Sequence, residues 1–395
     1  MKICLVAPNF APEFIGCGKY STDIAEVLAG DGHNVTVLTG NPHYPNIENF
    51  RTFDGNSEEK FNFNLIRVQK NLGRHAGLKG KLLDALNFGL GVHRYFKNNN
   101  VDKFDKVIII APYIMTVLFC RKIIKNKIPI HLHIQDNEIL YLEKKMKIFS
   151  WFSNFFKKLI FSKVSTVSTI SIVMSHNIQK YIKGRKVKLI RNWADSFDDN
   201  NILDRTKEFK IFYPDLYSDL TSGKKIVLYS GNIGQKQGLD ICLEAIEVLK
   251  EHNARLIIVG DGSGLKVLME QFKPHGDLIK FHSFVAKKHL DILLNSADVT
   301  LVPQLKEVED LVFPSKLHNI LASETEVLVG CSPGSELHNL QTYNGERMYW
   351  TYRPEDIRDF KMMLSCSLSS PNRGSAHELV QTEMHMQTNA RKFVE

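Results

Sequence analysis

The sequence predicts an α/β protein made of two doubly wound, Rossmann-like parallel-sheet domains facing a cleft. Three observations carry this. The chain has 395 residues, more than one ordinary core accommodates, so two domains of about 150–200 residues each are the default. Short apolar runs alternate with stretches of helical spacing, first up to about residue 190 and again from Lys225 onward. A glycine-bearing loop follows the first strand of each series, where a doubly wound domain places its ligand.

In chain order, Lys2–Ala7 reads as a short buried strand, and the loop after it carries Gly16 and Gly18. A helix from about Tyr20 to Ala29 and a strand Val35–Thr39 complete a βαβ unit. The loop lacks the third glycine of the dinucleotide fingerprint and no acid ends the second strand, so a nicotinamide cofactor is disfavoured. Residues 41–64 form a long polar loop of the kind that is functional or mobile. Strands follow at Leu65–Val68, Lys106–Ala111, Ile128–Ile134, Val164–Ser168 and Lys188–Ile190. Helical spacing occupies Leu78–Phe96, Met115–Lys125 and Ser171–Lys180, and polar residues 194–222 read as a linker.

The second series runs through strand Ile226–Tyr229, helix Leu239–Lys250, strand Leu256–Val259, helix Leu265–Gln271, strand Ile279–Phe281 and helix Lys288–Asn295. It ends in an element that combines several signals. The strand up to Val302 is closed by Pro303, an acidic loop holds Glu307, Glu309 and Asp310, and Pro314-Ser315-Lys316 opens a short apolar helix with Ser315 as N-cap. The domains are accordingly residues 1–200 and 201–375, with a closing helix at 376–395.

Charge is uneven. Residues 1–200 hold 29 Lys+Arg against 17 Asp+Glu, and residues 201–395 hold 22 against 26, so the first half is the one suited to an anionic surface or substrate. No nucleic-acid module accompanies that charge. Six scattered cysteines with no C-x-x-C and no histidine at ligand spacing point to reduced thiols in a cytosolic protein and to no metal site. The apolar run at Ile3–Ala7 is too short for a signal peptide, and no stretch approaches the roughly 20 apolar residues of a membrane span. Lys144–Lys163 stands apart, with six lysines, no acids and six aromatics. On a helix, Ile148, Phe152, Phe155 and Leu159 share a face flanked by Lys145, Lys147, Lys157 and Lys158, which suits a membrane surface as well as it suits a helix packed on the sheet.

Three loops leave strand ends in the second half. Gly231-Asn232-Ile233-Gly234 lets backbone approach a phosphate, with Lys236 adding charge; Gly260 opens the second loop; Ser315 and Lys316 lie in the third. Three such loops on successive strands fit a diphosphate-bearing ligand better than three ordinary turns.

The chain resembles the retaining, metal-independent GT-B glycosyltransferases of family 4, nearest in pattern to the bacterial colanic-acid and O-antigen fucosyl- or N-acetylfucosaminyltransferase-like group. The residues that carry the resemblance are Pro-Glu-Phe-Ile-Gly-Cys-Gly-Lys-Tyr at 12–20, His-Ile-Gln-Asp at 133–136, Val-Ser-Thr-Ile-Ser at 167–171 and Arg-Asn-Trp-Ala-Asp at 191–195. Further matches are Tyr-Ser-Gly-Asn-Ile-Gly-Gln-Lys-Gln-Gly at 229–238, Val-Gly-Asp-Gly-Ser-Gly at 259–264 and Asp-Leu-Val-Phe-Pro-Ser-Lys-Leu-His-Asn-Ile-Leu-Ala-Ser at 310–323.

The resemblance implies an acceptor-binding first domain and a nucleotide-sugar-binding second one. It implies Lys236 and Lys316 near the diphosphate with Gly231, Asn232, Gly234, Gly260 and Ser315, and a Gly16–Gly18 loop closing over donor. Glu309 and Asp310 fall near the sugar hydroxyls, and Asn319 is placed to hydrogen-bond ribose. It further implies a UDP- or GDP-sugar donor, no cofactor, an undecaprenyl-diphosphate-linked glycan acceptor and peripheral attachment to the inner face of the cytoplasmic membrane, in O-antigen, capsule or exopolysaccharide biosynthesis. The chain departs from the family pattern in places. The family's pair of glutamates falls on Leu311 and Asn319, and its usual arginine after the loop glycine is Asn232. Where many relatives have His-Asp this chain has Gln135-Asp136, which makes His133 on the same strand face the candidate. The family's last helix, which returns to the first domain, is expected to be short or missing. A nucleotide-sugar 2-epimerase of the same fold and a non-catalytic nucleotide-sugar-binding subunit are the alternatives, the first recognised by an epimerised donor and the second by binding without transfer.

Overall fold

The computed structural model describes the chain except for residues 14–15, 44–49, 51–52, 54–60, 70–76, 136–149, 183, 196–200, 235–236, 310–312, 324 and 371–375. It divides into two compact units. Unit 1 comprises the described residues of Met1–Asn192, with Phe313 and Met386–Glu395; unit 2 runs from Trp193 to Glu309 and from Pro314 to His385.

Unit 1 is a parallel sheet of seven strands: β1 (Lys2–Val6), β2 (Asn34–Gly40), β3 (Asn64–Gln69), β4 (Lys106–Ile110), β5 (Ile130–Ile134), β6 (Thr166–Thr169) and β7 (Lys188–Leu189). Their order is β3-β2-β1-β4-β5-β6-β7, so the direction of winding reverses between β1 and β4. The continuous apolar runs Ile3–Val6 and Val107–Ile110 follow from this position. Interior parallel strands are covered on both faces, and these side chains are buried rather than alternating. Helices Gly16–Gly30 and Gly77–Asn98 supply crossovers. Ser171 caps the helix Ile172–Gln179 by accepting from the Met174 amide at 3.2 Å.

Unit 2 contains β8 (Lys225–Ser230), β9 (Ala254–Val259), β10 (Ile279–His282), β11 (Val299–Val302) and β12 (Glu326–Gly330). A two-residue antiparallel pair, β13 (Thr342–Tyr343) and β14 (Glu346–Arg347), precedes β15 (Trp350–Tyr352). The main sheet is parallel, in order β10-β9-β8-β11-β12-β15, and its reversal falls between β8 and β11. Both fully covered strands at that reversal are apolar, and Val227, Leu228, Leu301 and Val302 lie in the core.

Three expectations change. The stretch 194–222 contains helices Ile202–Phe212 and Pro214–Leu220, which bury Phe209, Leu216 and Leu220 against unit 2. Arg205 makes two hydrogen bonds to the Asp291 carboxylate, at 2.8 and 2.7 Å, and Asp219 joins Arg255 and His282. The polar composition masked a one-sided apolar spacing, with Pro214 at a first helical position as the missed signal. Met115–Lys125 is two short helices, Thr116–Phe119 and Arg121–Lys125, broken at Cys120. The end of the chain is likewise two helices: His377–Glu383 stays with unit 2, and Met386–Arg391 returns to unit 1 against helix Gly16–Gly30. Asn389 donates to the Arg191 carbonyl at 3.0 Å, Arg391 grips Asp31 with two bonds of 2.8 Å, and Phe393 is fully buried.

Of the lysine-rich segment, the helix Ser150–Phe161 is described. Ile160 and Phe161 are buried and Phe155 is 59% exposed. Lys157 does not flank an outward face. It is buried, with its ammonium 4.8 Å from the Tyr181 ring centre. Among the described residues no helix is long and apolar enough to cross a membrane.

Candidate active site

Adjacent parallel strands β9, β8 and β11 bring their carboxyl ends to one edge of the unit 2 sheet, and the three loops singled out in the sequence leave from that edge. The first two are zipped together. Gly231 N–H donates to the Val259 carbonyl (3.0 Å), Ile233 N–H to Asp261 (2.8 Å) and Gly264 N–H to Ile233 (3.0 Å). The close approach explains the glycine at 260: a Cβ there would stand 1.9 Å from the Gly231 carbonyl oxygen, closer than any real contact. Gly260 therefore lets the first loop sit where it does. Lys236 lies outside the described residues, and so does Asp310.

Lys316 reaches this loop from the third element. Its Nζ is buried, has no hydrogen-bond partner among the described residues, and stands 3.7 Å from the centre of the Tyr229 ring. Gly231 lies beside it: a Cβ at that position would lie 3.5 Å from Lys316 Cδ and 3.7 Å from Nζ. Burial lowers the Lys316 pKa from its ordinary value to about 7. The Tyr229 hydroxyl donates to the Asn232 carbonyl at 2.6 Å, and burial raises its own pKa. The same burial holds the neighbouring Cys242 thiol up at about 12.

Around this centre, Ser315 departs from its expected role. It has helical backbone angles and its side chain makes no cap bond, while its carbonyl accepts from His318 Nδ1 at 2.9 Å. Asn319 is engaged by Asp195 through two hydrogen bonds of 2.7 Å, and Lys287 Nζ stands 3.0 Å from the same carboxylate. Glu309 accepts from the Ser332 amide, beside an open cavity of about 600 Å³ lined by Lys306, Ser332, Arg353 and Asp356. That cavity, at the carboxyl ends of β12 and β15, does not include the glycine loops or Lys316.

In unit 1 the glycine loop is organised by a residue the sequence reasoning passed over. Glu13 is buried and accepts from Asn9 Nδ2 (2.9 Å) and from the His43 amide (2.7 Å). A Cβ on Gly18 would meet the Glu13 Cβ at 2.7 Å, so Gly18 is the space that carboxylate occupies. Gly16 opens the helix at φ +59°. A carboxylate inside a mostly apolar loop was the available signal. His133 stands apart from this loop's contacts. It is 1% exposed, its Nδ1 is 2.8 Å from Ser168 Oγ, and its ring is edge-on to Phe393 at 4.9 Å. His131 Nε2 lies 2.7 Å from the same hydroxyl. Burial lowers the His133 pKa to about 3, so the ring is neutral at physiological pH.

Comparison with known proteins agrees with this geometry. Residues 218–340 match the family model of glycosyl transferases group 1. The whole chain aligns at 29% identity with 99% of WcaI, a colanic acid biosynthesis glycosyl transferase of Escherichia coli (strain K12). Sucrose-phosphate synthase from Thermosynechococcus elongatus superposes with a TM-score of 0.74 at 14% identity, covering 100% of this chain and 98% of that one. Anabaena HepE, in complex with UDP and glucose, superposes with a TM-score of 0.67, also at 14% identity and with the same coverage. These likenesses establish the two-sheet GT-B fold along the whole chain.

Proposed function

We propose that this chain, a glycosyltransferase of GT-B fold acting in polysaccharide biosynthesis, moves a sugar of the fucose or N-acetylfucosamine type. The donor is a UDP- or GDP-sugar and the acceptor an undecaprenyl-diphosphate-linked glycan. The observation that carries the donor site is Lys316: a buried ammonium without a hydrogen-bond partner among the described residues, facing a glycine loop at the carboxyl edge of β8. Burying such a charge unpaired is costly, and an arriving diphosphate supplies the missing acceptors. As the glycosidic bond to the leaving phosphate breaks, negative charge grows on the diphosphate. Lys316 and the Gly231–Gly234 backbone amides stabilise that charge without a metal. Lys236 adds to it in this reading. The anomeric carbon bonds to an acceptor hydroxyl oxygen with retention as its bond to the diphosphate breaks, the hydroxyl's proton passes to the departing diphosphate oxygen, and Glu309 and Asp310 are partners for the sugar's hydroxyls.

Membrane attachment is part of the proposal. The basic first half and the lysine-rich segment around the helix Ser150–Phe161, with Phe155 exposed, suit an anionic cytoplasmic leaflet and a pyrophosphate-linked acceptor. The test is a thermal-shift screen with UDP, GDP and their sugars, followed by transfer to lipid-linked acceptor with and without chelator. A ligand at 100 times its dissociation constant stabilises by about 2.7 kcal/mol. No shift with any of them refutes the donor site, and loss of transfer on chelation refutes metal independence.

A further inference from the structure

We propose that Tyr229 is a positioning residue of the donor site: its ring seats the Lys316 ammonium while its hydroxyl holds the Asn232 carbonyl. One side chain thereby sets where the lysine and the glycine loop stand before a diphosphate arrives. This rests on the donor-site reading above.

Among the described residues Lys316 Nζ has no hydrogen-bond partner, and a buried ammonium in that condition needs some compensation. The Tyr229 ring face, 3.7 Å away, supplies it through its negative quadrupole. Among the described residues the other titratable group acting on this lysine is the Cys242 thiol on the segment after the glycine loop, and at about 12 its pKa keeps it protonated and neutral. An aromatic ring attracts a cation without satisfying its three N–H donors, so the ammonium is held and still free to donate. Had a carboxylate occupied this place, the lysine would already be neutralised and a diphosphate would have to compete for it.

The hydroxyl does separate work. A buried core position at a strand end accepts phenylalanine equally well on packing grounds. Here the O–H reaches the Asn232 carbonyl at 2.6 Å, which fixes the loop one residue past Gly231. Asn232 is thus tied to the same side chain that holds Lys316. Gly231 lies between them, with no side chain to fill the space beside Nζ.

Depressed basicity gives the arrangement a signature that a purely structural tyrosine would not affect. At pH 8 a lysine with a pKa of about 7 is mostly unprotonated, and a bound diphosphate raises that pKa, so binding draws in a proton. The experiment is calorimetric titration of UDP and GDP at pH 8, in two buffers of different ionisation enthalpy, into wild type, Tyr229→Phe, Tyr229→Leu and Lys316→Ala. Wild type should take up a proton on binding. Tyr229→Phe keeps the ring and should retain the uptake while binding about fivefold more weakly, the effect of one hydrogen bond. Tyr229→Leu removes the ring face that steadies the ammonium as well as the hydroxyl, so its proton uptake should not fall below that of wild type and its affinity should drop below that of Tyr229→Phe. Wild-type affinity in Tyr229→Phe, or a folded Tyr229→Leu that shows diminished uptake or binds as tightly as Tyr229→Phe, overturns the proposal. If Tyr229→Leu does not fold, the Tyr229→Phe affinity decides. Absence of nucleotide binding by wild type refutes the donor site itself. Weakened binding in Lys316→Ala with unaltered Tyr229 variants removes the role of Tyr229 alone.

Discussion

Asn319 and Asp195 lie 124 residues apart in the chain and are joined by two hydrogen bonds of 2.7 Å. The Asn319 carbonyl accepts the Asp195 backbone N–H, and its NH₂ donates to the Asp195 carboxylate. The carboxylate is 7% exposed and has Lys287 as its second partner. Replacing the amide by leucine leaves a half-buried backbone N–H and a carboxylate each short of a partner. Asn319→Leu should therefore lose about 1–3 kcal/mol, read as a lower urea midpoint. Asn319→Asp sets two carboxylates against each other, so its deficit should be larger at pH 7 and shrink toward pH 4 as one takes a proton. An Asn319→Asp deficit independent of pH would show that the pairing does not govern this site.

Gly260 is a test of the loop zipper. An added methyl at this position would collide with the Gly231 carbonyl at 1.9 Å, and that contact involves backbone rather than a flexible side-chain end. Gly260→Ala should move the Gly231–Gly234 loop, costing about 1–3 kcal/mol of stability and at least tenfold in nucleotide affinity. Equal affinity in the variant would mean that the loop position is not what binds.

Much of this was visible in the residues because parallel sheets leave a strong trace. Buried strands such as Ile3–Val6 and Leu256–Val259 are continuous apolar runs, and the glycines mark the loops between them. The site was legible as loops and one lysine, since glycine spacing and Pro-Ser-Lys are local signals. Partners set by long-range packing were not. Nothing near Lys316 in sequence announces Tyr229, and nothing near Asn319 announces Asp195. The helices Ile202–Phe212 and Pro214–Leu220 were missed because only Phe209, Leu216 and Leu220 carry their burial, diluted by charges whose partners Asp291 and Arg255 are distant in sequence. His133 was singled out by its place on a strand, whereas its burial under Phe393 depends on a segment at the other end of the chain.

The His131–Ser168–His133 cluster makes unit 1 acid-sensitive. One hydroxyl lies between two imidazoles, Phe393 packs on both rings, and both pKa values are lowered mainly by burial, that of His133 to about 3. Between about pH 3 and 6.5 the unfolded chain binds more protons than the folded one. Stability is therefore full above pH 6.5 and falls as the pH drops through that window, by up to about 1.4 kcal/mol per pH unit for each histidine. His133→Asn should show a shallower fall in urea midpoint between pH 7 and pH 5. Its transfer rate should stay within a few-fold of wild type, because a neutral, buried ring has no substrate to reach. A rate loss of a thousandfold in a stable His133→Asn protein would restore His133 as a catalytic residue.

Lys316 has the same dependence, moved to an alkaline window. Its folded pKa of about 7 lies below the ordinary value of 10.5, so between those limits the unfolded state binds the extra proton and stability rises with pH. Below pH 7 the cost of keeping this site in the fold is fully present, on the order of a few kcal/mol. Lys316→Met retains most of the stem and removes the charge. It should be more stable than wild type at pH 7, with the difference narrowing as the pH approaches 10, while nucleotide binding weakens and transfer is lost. The comparison cancels the other titrating groups, since both proteins share them. Urea unfolding at pH 7, 8 and 9 measures it directly. A destabilised Lys316→Met at pH 7 would mean that the ammonium supports the fold, and the donor site would then lose its waiting charge.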